Sequence, residues 1–92
     1  MGVMNILHEE DRHRFSVATE SGPAVVEYEL SGDTVNFTHT FVPAEQRGRG
    51  LAEALVKQAL DWAEARQLRI EASCWYVAKY MDARRPHLRT SK

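Results

Sequence analysis

Between residues 34 and 74 the hydrophobic period of the chain changes twice, and that double change leaves few folds open. Thr34–Val42 alternates, with Val35, Phe37, His39 and Phe41 on one side, as a half-buried strand does. Pro43 ends the run. From Leu51 the apolar residues 51, 52, 55, 56, 59, 60, 62 and 63 recur at helical spacing. Glu53, Lys57, Asp61 and Glu64 fall on the wet side, with Glu53–Lys57 as an i,i+4 pair. This predicts a helix over Leu51–Arg66. Alternation returns over Leu68–Cys74, where Leu68, Ile70, Ala72 and Cys74 share one parity. Strand, helix and strand in that order make a βαβ unit, whose two strands are parallel and whose crossover is nearly always right-handed.

Upstream, Met4–Glu9, Arg14–Thr19 and Ala24–Leu30 read as three further strands, separated by the turns Glu10-Asp11-Arg12 and Ser21-Gly22-Pro23. Ser31-Gly32-Asp33 makes a hairpin turn into the fourth strand. Connections this short favour an antiparallel meander. Trp75–Arg84 reads as a short second helix, stopped near Pro86. The expected fold is therefore α/β (α+β), a mixed, mostly antiparallel five-stranded sheet with one βαβ crossover and two helices. At 92 residues it is read as one domain, 1–92.

The junction at residues 47–52, Arg47-Gly48-Arg49-Gly50-Leu51-Ala52, carries the chemical signal. A glycine turn that opens a helix presents unpaired backbone N–H groups and the positive end of the helix dipole. That combination suits phosphate, and Arg47 and Arg49 add charge of the right sign. In open α/β sheets, ligands bind outside the carboxyl ends of parallel strands. Those ends are Phe41-Val42 and Ser73-Cys74 here, with the glycine turn beside them. Charge follows the same division. Residues 1–46 hold eight Asp/Glu and two Lys/Arg, and residues 47–92 hold five and ten. An anionic ligand fits this asymmetry.

Composition excludes several classes. No apolar run approaches the ~20 residues that span a bilayer, and residues 1–8 lack the features of a signal peptide. One cysteine leaves no internal disulfide and agrees with a reducing, cytoplasmic setting. One Cys and four scattered His give no zinc spacing, so no metal is expected. Near-neutral net charge without interleaved exposed aromatics argues against nucleic acid.

With these residues in place, the chain resembles the GNAT superfamily of acyl-CoA-dependent N-acetyltransferases. Their acetyl-CoA signature, Gln/Arg-x-x-Gly-x-Gly/Ala, is matched by Arg47 through Ala52. More narrowly it resembles the minimal single-domain members called GNAT-like or YjdJ-type. The matching segments are Phe37–Pro43, Arg47–Val56 and Ser73–Val77. The resemblance implies the acyl-CoA N-acyltransferase fold, acetyl-CoA as cosubstrate and an acceptor that is probably named by its amine alone. It implies that backbone groups at Phe41 and Val42 hold the pantetheine arm and acetyl carbonyl. It further implies that Arg47, Gly48, Arg49, Gly50, Leu51 and Ala52 take the pyrophosphate. Cys74 and His39 fall where these small proteins are suspected of doing chemistry. The chain departs from larger members, which carry acceptor-walling helices where Glu10-Asp11-Arg12 stands, and an Asn at the end of strand five where Cys74 lies.

Cys74 sits at a strand end just before a helix, a position that favours a nucleophilic thiol able to accept acetyl and pass it on. The alternative is a small buried hydrophobe sharing parity with Leu68 and Ile70. His39 could act as base for an amine or for Cys74. Its parity with Val35 and Phe37 points instead to a hydrogen-bonded core position, unless a bulge changes its facing. Tyr80, with Tyr76 as competitor, could protonate a departing thiolate. Trp62 and Trp75 read as packing residues, and His8, His13 and His87 as surface residues without partner spacing. Two functions follow from these residues: an acetyl-CoA-dependent N-acetyltransferase acting directly or through Cys74, or a CoA/acyl-CoA-binding module without efficient catalysis.

Overall fold

Each of the first four strands is joined to the next by a link suited only to an antiparallel return. The computed structural model, which describes residues 5–88, shows the resulting meander. Strands β1 (Leu7–Glu9), β2 (Arg14–Val17), β3 (Ala24–Ser31) and β4 (Thr34–Phe41) lie side by side in chain order. Helix α1 (Leu51–Ala65) crosses over to β5 (Arg69–Ala72), which joins β4 in parallel, and α2 (Trp75–Arg84) follows. The mixed five-stranded sheet with one crossover and two helices is as the sequence predicts. The expected first strand is shorter, beginning at Leu7; its proposed start, Met4, lies outside the described residues.

Both helices pack on one face of the sheet. Val26 and Phe37 from the sheet meet Val56, Ala59 and Leu60 of α1 and Val77 of α2. Leu55, Val56, Leu60, Val77 and Met81 are fully or almost fully buried, which is where the 3.6-residue spacing had placed the apolar stripe. Burying side chains of this size contributes about 1.5–3 kcal/mol each. Four ion pairs tie the wet side of α1 to the end of α2 and the turn after it: Arg84 to Glu53 (2.7 Å), Arg85 to Asp61 (2.8 Å) and to Glu64 (3.7 Å), and His87 to Glu64 (3.1 Å). Glu53 is thus paired with Arg84 rather than with the expected Lys57, which pairs with Asp61 instead (3.2 Å).

Two further expectations are corrected. His8 is no bare surface residue. Its ring stacks on Phe15 (3.9 Å between centroids, 8° between planes), meets Trp62 edge-on and shares a 2.7 Å hydrogen bond with the Tyr28 hydroxyl. The cause is register: His8 pairs with Phe15, so both side chains leave the sheet toward the helices. Trp75, expected to pack, is 72% exposed, because the buried stripe of α2 runs through Val77 and Met81.

The feature that shapes the site is an irregularity between β3 and β4. Glu27 pairs with His39 and Tyr28 with Phe37, so one step on β3 spans two on β4 and Thr38 is the extra residue. Before the bulge Val35 and Phe37 point into the core, both fully buried. After it the parity is inverted. His39 and Phe41 are exposed, His39 opposite Glu27 on the face away from the helices. Thr40 and Val42 take the inward positions.

Candidate functional site

Strands β4 and β5 run together only from Thr34–Arg69 to Phe37–Ala72. One more backbone bond, from the Cys74 N–H to the Phe37 carbonyl (3.0 Å), fixes the start of α2. The Asn36 side chain brackets the same point, donating to Ser73 Oγ and accepting from the Ser73 N–H, both at 2.9 Å. Beyond it the paths separate: β4 continues past its bulge to Phe41, while the other chain turns into the helix. The parting leaves the carboxyl end of β4 with a free side.

A cavity of about 340 Å³ fills the gap, lined by Thr40, Phe41, Val42, Arg47, Ala52, Cys74, Trp75 and Tyr76. Cys74 is half-buried there, its Sγ 3.5 Å from Thr40 Oγ1. A second cavity, about 180 Å³, adjoins it over the glycine turn and is lined by Val42, Gln46, Arg47, Gly48, Gly50, Leu51, Ala52, Glu53 and Tyr76. Arg47 spans the two, its Nε donating to the Val42 carbonyl at 3.1 Å.

The turn has the geometry of an anion cradle. Gly48 (φ +84°) and Gly50 (φ +78°) both adopt left-handed backbone that other residues rarely accept. Gly50 caps α1 with no side chain bonded to the first-turn N–H groups. The helix end therefore keeps the donors that intrahelical bonding leaves free. The space in front is open: a Cβ added at either glycine would meet nothing within 4 Å. Glycine is required here for the bend, and the room it faces is available to a ligand.

The structure thus brings Phe41, Val42, Arg47, Gly48, Gly50, Leu51, Ala52 and Cys74 to one cleft. It does not bring His39 to Cys74, because the bulge sends that imidazole to the opposite face. The Arg49 side chain is exposed and takes no part in the lining. Two lining residues carry more weight than the sequence suggested. Thr40 reaches Cys74 only because of the bulge, which parity alone could not reveal. Tyr76 borders both cavities, whereas Tyr80 borders neither. Burial, with the Glu53 and Tyr80 charges adding to it, holds the Tyr76 hydroxyl above its ordinary pKa, against a smaller opposing effect of Arg84. It stays protonated at neutral pH and serves as a hydrogen-bond donor. Among the described residues no cluster of His, Cys, Asp or Glu is placed to hold a metal ion, and no helix is long and apolar enough to cross a membrane.

A family model described as GCN5-related N-acetyl-transferase matches residues 14–90. The chain belongs to the GCN5-related N-acetyltransferase family. It is similar to the protein NATD1 of Mus musculus, 39% identical over 83 residues that cover 87% of this chain and 76% of that protein. Against NATD1 of Homo sapiens it is 37% identical over 81 residues, covering 85% and 72%. A GCN5-like protein from Staphylococcus aureus, solved by NMR, superposes with a TM-score of 0.68 at 26% identity, covering 96% of this chain and 86% of that one. The GCN5-related fold accounts for the mixed sheet and its single crossover. In this member of the family the segment between β1 and β2 is one short turn, Glu10–Arg12, and no helix stands there.

Proposed function

We propose that the chain binds acetyl-CoA in this cleft and transfers the acetyl group to an amine through Cys74. The observation that carries the reading is the conjunction of an uncapped glycine turn with two parallel strands that part beside it. The turn offers donors to a diphosphate at residues 47–52. The free side of β4 at Phe41 and Val42 offers backbone groups to the amide-bearing pantetheine arm, as an edge does to an added strand. The cavity at the end of that arm contains the one thiol.

The chemistry then follows from what lines the cavity. The Cys74 sulfur attacks the thioester carbonyl; the bond from that carbon to the CoA sulfur breaks, and the proton given up by Cys74 ends on the departing sulfur. In the second step an amine attacks the Cys74 thioester, the carbon–sulfur bond breaks, and the amine's proton returns to Cys74. Tyr76, a protonated hydroxyl on the cavity wall, is suited to donate toward either leaving sulfur. No carboxylate or imidazole lines this cavity among the described residues, so direct transfer, with His39 as base, has less support. The lone thiol suits a reducing compartment such as the cytoplasm.

Incubation with acetyl-CoA followed by intact-protein mass spectrometry is expected to show one acetyl adduct, mapped to Cys74. No adduct, together with full transferase activity in Cys74→Ala, overturns the covalent route. A second reading, a CoA-binding module without efficient catalysis, is favoured by the single turn that stands where an acceptor wall would be. Calorimetric binding of CoA with acetyl-CoA consumption at the uncatalysed rate across a panel of amines would select it.

A further inference from the structure

A third cavity, about 210 Å³, continues the cleft along α2 and is lined by Glu53, Tyr76, Lys79, Tyr80, Ala83 and Arg84. We propose that it receives the 3′-phosphorylated adenosine end of coenzyme A, with Lys79 and Arg84 holding the 3′-phosphate. The inference rests on the acetyl-CoA reading and deepens it.

The cavities lie in series. The one at Cys74 shares Val42, Arg47, Ala52 and Tyr76 with the one over the glycine turn. The turn cavity shares Glu53 and Tyr76 with the third, while the first and third share Tyr76 alone. Coenzyme A has the same order: a thiol on a pantetheine arm, then a diphosphate, then adenosine bearing a 3′-phosphate. With the sulfur at Cys74 and the diphosphate on residues 47–52, the adenosine leaves the turn on the side of the third cavity.

The residues there have the chemistry for it. Tyr76, Lys79, Tyr80 and Ala83 stand at i, i+3, i+4 and i+7 and make one face of α2. Val77 and Met81 form the face that is buried, which leaves the first face to the groove. Lys79 is exposed and forms no ion pair among the described residues. The Arg84 guanidinium lies 5.5 Å from the centroid of the Tyr80 ring and 2.7 Å from a Glu53 carboxylate oxygen. Both partners of that pair are about half exposed, and pairs of this sort are weak, so a phosphate can take the guanidinium from Glu53 at little cost. The tyrosine rings provide an apolar surface for a purine, and Ala83 leaves it room.

The test compares CoA with dephospho-CoA, which lacks only the 3′-phosphate, by calorimetry on the intact protein. Charge-assisted hydrogen bonds of this kind lead us to expect CoA to bind about tenfold more tightly. In the double variant Lys79→Ala, Arg84→Gln that advantage should vanish, with dephospho-CoA bound as well as before. The unchanged dephospho-CoA affinity also reports that the variant is folded and its turn intact. Equal affinities for the two ligands in the parent protein would overturn the inference and leave the acetyl-CoA reading standing. So would an advantage that survives in the variant, or a variant that loses both ligands equally. If neither ligand binds the parent protein, it is the acetyl-CoA reading itself that fails.

Discussion

Gly50 shows how one residue joins fold to chemistry. It ends the turn at φ +78°, opens α1, and faces open space where a side chain would otherwise stand. Gly50→Ala should lower stability by roughly 1–2 kcal/mol, the cost of left-handed backbone for a residue with a Cβ. For a chain of this size each 1 kcal/mol shifts the melting midpoint by about 4–8 °C. Gly50→Asn should lose less, since Asn tolerates that conformation better. Thermal melts of the two variants check this; an alanine variant as stable as the parent would mean the turn does not need its glycine. At Cys74 and its neighbours the sequence told less. The thiol could be singled out because it is unique and precedes a helix. Its partner Thr40 could not, because the contact depends on a one-residue shift in register 34 positions away.

At the scale of elements, β4 and β1 decide the most. The bulge at Thr38 divides β4 into a stretch that builds the core and a stretch that builds the site. Val35 and Phe37 were legible as core residues from alternation; His39 and Phe41, read by the same rule, come out on the opposite face. Period-two reasoning is sound until an extra residue is inserted, and nothing in Thr-His-Thr announces one. The strand β1 is held by His8, whose ring is stacked on Phe15 and bonded to Tyr28. Burial lowers the pKa of His8 below its ordinary 6.5, outweighing the carboxylate of Glu10, which pulls it up, while Arg66 adds to the lowering. A base whose folded pKa is depressed binds its proton more readily when unfolded. Its contribution to stability is therefore complete above pH 6.5 and is lost as pH falls through the lower folded value. The parent protein should show a falling melting temperature on that acid limb. His8→Phe, which keeps the ring and removes the titration, should flatten it. Identical limbs in both proteins would show that His8 does not couple β1 to pH.

Over the whole molecule, local pattern and long-range consequence are unequally visible in the sequence. The order of elements, the parallel pair, the apolar face of α1 and the glycine turn all follow from periods and turn residues that act over a few positions. The parting of β4 from β5, the burial of His8 and the exchange of Glu53 from Lys57 to Arg84 depend on residues brought together from afar, and no local pattern encodes them. The basic half of the chain begins at the turn and ends beyond α2, so the charge asymmetry and the series of cavities run in the same direction. That agreement is the reason for reading the cleft as a site for one extended anion rather than as three unrelated hollows.

The most direct test is titration of the ¹⁵N-labelled protein with CoA, followed through its backbone amide resonances. The largest shifts should fall on Gly48, Gly50, Leu51 and Ala52, with Phe41, Val42 and Cys74 moving in step at the same ligand concentration. If those amides stay fixed at saturating CoA, or if shifts appear only on surfaces distant from the parted strands, the diphosphate does not rest on the glycine turn and the proposed function is contradicted.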